Sequence, residues 1–108
     1  MGGLVLDVVI AYFIKLILRL RRGWGSSKWK LVKARVDSSR IEDDWVSTVE
    51  VAYTYDFDGH IYSGIDSNPF LSDRFAKERV ELFQPGQMAM VRVNQLQPQR
   101  SFLKRSDQ

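Results

Sequence analysis

Asp58-Gly59 limits what this chain can become more than any other feature. It lies between "VAYTYDF" and "HIYSGID", two runs in which aromatic or apolar residues alternate with small or polar ones. A period of two is the pattern of a half-buried strand. Asp-Gly supplies two adjacent positions that tolerate positive φ, as a type I′ turn requires. A two-residue loop also fixes the register. Phe57 must face His60, Tyr55 must face Tyr62, and Tyr53 must face Gly64. Val49, Val51, Tyr53, Tyr55 and Phe57 then share one face, and Thr48, Glu50, Thr54 and Asp56 the other.

The rest of the chain supplies partners for this hairpin. "KLVKARVD" alternates Val32, Ala34 and Val36 and predicts a strand before it, followed by a polar loop over Ser38 to Asp44. The second strand is expected to begin near Trp45. "NPF" (Asn68 to Phe70) predicts a turn into a helix over Ser72 to Phe83, with Phe75, Ala76, Val80 and Phe83 facing inward. Gln84-Pro85-Gly86-Gln87 ends that helix. "MAMVRVN" predicts another strand and "FLK" a short edge strand. The expected fold is α+β and mainly β: a small antiparallel sheet or half-open barrel with one short covering helix, behind an N-terminal membrane helix.

That first helix is "LVLDVVIAYFIKLILRL", Leu4 to Leu20, without proline or internal glycine. It is about 25 Å long at 1.5 Å per residue, against roughly 30 Å for a bilayer core. Basic residues follow its centre, and none precedes it. A cleaved signal peptide would carry the opposite arrangement. Residues 1–36 hold eight Lys or Arg against Asp7 alone, whereas residues 37–108 hold eight against twelve acids. The positive-inside rule then predicts a single crossing, N-terminus outside and C-terminal domain cytoplasmic. Lys15, Arg19, Arg21, Arg22, Trp24 and Trp29 form the expected membrane interface. An alternative is an in-plane amphipathic helix, because Asp7, Lys15, Arg19 and Arg22 fall within about 120° of one another. The expected organisation is an anchor over 1–22, a linker over 23–28, the β-rich domain over 29–105 and a tail over 106–108.

Little in the sequence points to chemistry. There is no cysteine, which excludes thiolate metal sites, disulfides and a cysteine nucleophile. The one histidine, His60, stands at a hairpin turn. Glu42, Asp43 and Asp44 are contiguous acids without further ligand spacing and read as solvated charge. No catalytic, cofactor-binding or metal-ligating residue emerges, and no nucleic-acid motif surrounds the basic stretch. No small-molecule substrate is evident. Tyr53, Tyr55 and Tyr62 admit two readings: a core wall beneath the covering helix, or a candidate binding face. The core is favoured, because Val49 and Val51 continue the same face.

Tyr53, Tyr55, Gly59, Tyr62 and Gly64, then Pro85, Gly86, Val91, Asn94, Pro98, Ser101 and Leu103, together form a spaced pattern. Over Trp29 to Leu103 it resembles a widespread bacterial family, domain of unknown function 3592. The chain departs from the family pattern at Arg92-Val93, where aromatics are usual, and at Gln95, where proline is usual. The resemblance implies a small membrane-tethered β domain and no established activity. The expected function is a noncatalytic membrane-tethered module at the cytoplasmic face, binding or scaffolding a protein partner, with the membrane and another membrane protein as expected partners. An accessory subunit of a membrane complex is the alternative, since Asp7 in an apolar helix calls for a partner. An envelope hydrolase is disfavoured for want of a nucleophile–base pair.

Overall fold

The computed structural model describes residues 2–22, 24–43 and 46–108, and the side chains of all these except 2–5 and 22. Four expectations lie outside the described residues: Trp45 opening the second strand, Asp44 in the acid run, Gly23 in the linker and the Arg22 side chain at a membrane surface. The elements are α1 (Gly2–Arg22), a 3-10 turn (Ser26–Lys28), β1 (Lys30–Asp43), β2 (Ser47–Phe57), β3 (His60–Phe70), α2 (Asp73–Leu82), β4 (Met88–Val93), β5 (Ser101–Leu103) and a closing 3-10 turn (Arg105–Asp107). The strands form one antiparallel sheet in the order β3-β2-β1-β4-β5. The sheet curls until its edges, β3 and β5, touch. It is nearly closed, and α2 packs against the core.

The hairpin takes the expected register, with Phe57 opposite His60, Tyr55 opposite Tyr62 and Tyr53 opposite Gly64. Asp58 has φ 53° and Gly59 φ 82°, the two left-handed positions of a type I′ turn. Val49, Val51, Tyr53, Tyr55 and Phe57 are all buried, together with Ala34 and Val36 of β1 and Ala89, Val91 and Val93 of β4. The Tyr53 hydroxyl lies 2.6 Å from Ser101 Oγ, and the Tyr55 hydroxyl donates to the Pro98 carbonyl at 2.6 Å. The two phenols therefore pull the last strand, and the loop before it, onto β2. That loop is shaped by Asn94, whose side-chain oxygen accepts from the Leu96 and Gln97 amides.

Three local expectations are corrected. The segment from Ser38 is not a loop: β1 runs on to Asp43, paired with β2. The register shifts between Val36 and Ser38. This β-bulge moves the inward positions from Ala34 and Val36 to Ser39 and Ile41, hiding the strand from a strict period-two reading. Val36 turns its backbone groups to the Gly86 amide and the Gln87 carbonyl at the bulge. The second correction is "NPF", which is not a turn. Asn68, Pro69 and Phe70 pair with Val49, Thr48 and Ser47, and proline is tolerated because β3 is an edge strand. The third is Phe75, which is exposed; Ala76, Arg79 and Phe83 are the buried positions of this helix region.

Residues 106–108 are held rather than trailing. Asp107 pairs with Arg92 at 3.0 Å, and the Gln108 side chain bonds both backbone groups of Met90. The Arg92 guanidinium holds the Asp107 carboxyl below the usual carboxylate range. At the other end, no helix among the described residues is long and apolar enough to cross a membrane. Any 18 consecutive residues of α1 include Asp7, Lys15 and Arg19, so the expected membrane-spanning helix is not supported.

Gly64 yields the first prediction. A Cβ built there would stand 2.5 Å from Cε2 and Cζ of the Tyr53 ring, which is only 1% exposed and has no room to retreat. Gly64→Ala is expected to cost about 1–3 kcal/mol, the scale of an overpacked core. A urea melt with an unchanged midpoint would contradict this. Tyr55 yields the second. Burial, with Tyr62 adding and Ser101 opposing, raises its phenol above the ordinary value. The folded state then binds this proton more tightly than the unfolded chain. Stability should stay level up to about pH 10 and be lost as pH climbs through the folded value. Urea midpoints should fall more steeply above that pH in the parent than in Tyr55→Phe, and parallel profiles would refute the assignment.

Candidate functional site

The face that α1 turns to the domain carries two cations, Lys15 and Arg19, among the half-buried Val9, Tyr12 and Leu16. Lys15 Nζ donates to Thr48 Oγ1 at 2.9 Å. Arg19 donates to the Leu103 carbonyl at 3.1 Å, pairs with Asp66 at 3.3 Å and stacks on the Phe102 ring at 4.7 Å. Arg19 thus bridges β3 and β5 where the sheet fails to close. The opposite face carries Leu6, Ile10, Phe13, Ile17 and Leu20, separated by four, three, four and three residues. At 100° per residue they fall within about 80° of one another. Their exposures run from 47% to 59%. A helix on a globular domain ordinarily leaves polar residues on its outer face; α1 leaves this apolar stripe there and engages two of its cations with the domain.

The remaining expected interface residues divide. Arg21 is exposed and Trp24 is 83% exposed. Trp29 is half-buried against the domain, with the Arg100 guanidinium 5.4 Å from its ring. The structure places Tyr53 and Tyr55 in the core, 1% and 2% exposed. Tyr62 is half-buried and stacked on Tyr55 at 5.6 Å. Instead of lining a recognition surface, the tyrosine face is the wall of the barrel.

Sequence reasoning missed the burial of Asp66. Its side chain is 3% exposed and lies between two guanidiniums, Arg79 of α2 at 3.0 Å and Arg19 of α1 at 3.3 Å. The Arg79 side chain is 4% exposed and also sits 4.5 Å from the Phe83 ring centre. One signal was available. Asp66 continues the inward series of Tyr62 and Gly64, and a carboxylate on a core face demands a cationic partner. Arg79 fits that demand, three residues after Ala76 and four before Phe83, on the buried side of α2.

Beside this cluster, between α2 and the C-terminal turn, lies an open groove of about 840 Å³. Phe70, Phe75 and Leu82 form its apolar wall. Arg19, Arg79, Lys104 and Arg105 supply positive charge, and Glu78 and Glu81 stand on the rim side of α2. Such an arrangement can hold an anionic group beside an apolar one. His60 is exposed at the hairpin tip, away from the groove lining. Among the described residues, no group of three or more His, Asp or Glu side chains is placed to hold a metal ion.

No curated protein and no solved structure matches the chain. A family model described as domain of unknown function, DUF3592, matches residues 30–108. The match covers the sheet, α2 and the C-terminal turn, and leaves α1 outside. It spans well over half of the chain and coincides with the closing tyrosines and the segment they bind, so the protein belongs to the DUF3592 family.

Proposed function

We propose that the protein is a noncatalytic module held at the cytoplasmic face of a membrane, its β domain serving as a scaffold for a protein partner. The observation that carries this reading is the outward apolar stripe of α1. Leu6, Ile10, Phe13, Ile17 and Leu20 point away from the domain, while Lys15 and Arg19 are engaged by it. Laid in the plane of a leaflet, the apolar stripe enters the acyl boundary and the domain rides above it. Full burial of such side chains gains about 1.5–3 kcal/mol each. They are already half-covered, so five of them contribute on the order of 5 kcal/mol. Trp24 and Arg21 then sit at headgroup level, where an indole and a cation are both favoured. A spanning arrangement would require Lys15 and Arg19 to leave Thr48 and Asp66 for the bilayer.

A second reading is favoured by one feature. The four-three spacing of the stripe is that of a helix-pairing seam. An accessory subunit would present the same stripe to a helix of a larger membrane complex.

Flotation of the full chain with vesicles of mixed zwitterionic and anionic phospholipid tests the proposal. The chain should float, and carbonate should release it. Ile10→Glu combined with Ile17→Glu should reduce flotation by at least about tenfold, the equivalent of roughly 1.4 kcal/mol. Flotation unaffected by the double substitution would contradict the in-plane helix. Resistance to carbonate would favour a crossing instead.

A further inference from the structure

We infer that the groove between α2 and the C-terminal turn binds a small amphiphilic anion, a single carboxylate or phosphate monoester on an unbranched apolar body. The argument begins with charge. The groove lining holds four cationic side chains and two carboxylates; Arg19 and Arg79 already share Asp66, which leaves Lys104 and Arg105. Glu78 is turned to Arg74, 3.5 Å away, which draws it out of the count inside the groove. Neither Lys104 nor Arg105 has an ion-pair partner among the described residues. At the floor, Arg79 Nε is buried with no acceptor. The charge of this guanidinium is already answered by Asp66, so it lends the groove an unmet donor and not a free charge.

The apolar wall supplies the second half. Phe75 is 56% exposed and Leu82 42% exposed, and both face the groove with the half-buried Phe70. An aromatic ring and a leucine on the wet side of a short helix gain by being covered. A purely ionic ligand would leave them wet, and a purely apolar one would leave the cations unanswered. The volume falls within the range of small-molecule sites, about 300–1,000 Å³. Glu81 on α2 disfavours a second acidic group at that end. The acid therefore lies toward Lys104, Arg105 and the Arg79 floor, and the chain runs along Phe70, Phe75 and Leu82. Apart from Arg19, all of these residues lie outside α1.

Isothermal titration of the full chain with decyl phosphate, kept below its micellar concentration, tests the site. Saturable one-site binding is expected, with inorganic phosphate and decanol each weaker by about tenfold or more. Lys104→Glu combined with Arg105→Glu, and separately Phe75→Ser, should each weaken decyl phosphate by about tenfold. All three positions are at least partly exposed, and thermal melts of the variants check that the fold persists. If the groove variants still float with vesicles, the ligand is a free amphiphile. If they also lose flotation, it is a bilayer lipid, and both results support the site. Absence of saturable binding, decanol binding as tightly as decyl phosphate, or folded variants that bind like the parent would overturn it.

Discussion

The Asp66 carboxylate, closed in between Arg19 and Arg79, is the interaction on which the arrangement of this molecule turns. A carboxylate 3% exposed cannot be left to itself. Arg79 answers it from α2 and so fixes the rotation of that helix, with Ala76 and Phe83 turned inward and Phe75 left outside. Arg19 answers it from α1 and at the same time reaches the Leu103 carbonyl, so one side chain ties the first helix to both edges of the sheet. A buried ion cluster of this kind is weak evidence for net stability, because desolvation offsets most of the attraction. What it supplies is orientation. Once Arg19 is committed to the seam, the apolar stripe of α1 has only one direction in which to face.

The barrel itself closes by different chemistry, and that chemistry accounts for the residues shared with the family. Tyr53 and Tyr55 send their hydroxyls to Ser101 and the Pro98 carbonyl. Gly64 is bare because the Tyr53 ring lies over it, and Asp58-Gly59 sets the register that brings the two together. Asn94 shapes the loop that presents Pro98 and Ser101, while Leu103 is fully buried in the core beyond them. The motif of tyrosines, glycines, asparagine, proline and serine is thus a closure device, coherent without any reacting group. The features proposed for function lie outside it, in the α1 stripe and the groove.

What could be read from the sequence follows how local each constraint is. Two residues determine a type I′ turn, so the hairpin, its register and its buried face were all legible. The continuation of β1 was not, because the bulge at Asp37 reverses the alternation and makes Ser39 and Ile41 look misplaced. Pro69 argued against a strand, and only the strand's place at the edge of the sheet, a tertiary fact, permits it. Helical periodicity marked an apolar side of α2 but did not choose between Phe75 and Arg79, since that choice depends on Asp66. The apolar character of α1 was plain, but its direction was not. A stripe of Leu, Ile and Phe reads alike whether it faces a core, a partner or lipid, and it is Lys15 and Arg19 meeting Thr48 and Asp66 that decide.

The claim underlying all of this is that Arg19 docks α1 on Asp66. A double-mutant cycle of Arg19→Gln and Asp66→Asn, read by urea denaturation of the full chain, measures that contact directly. A coupling energy of at least about 1 kcal/mol is expected, as for contacting charges in one network. A silent Arg19→Gln, with coupling indistinguishable from zero, would mean that α1 is not held at the seam, and its outward apolar stripe would lose its meaning.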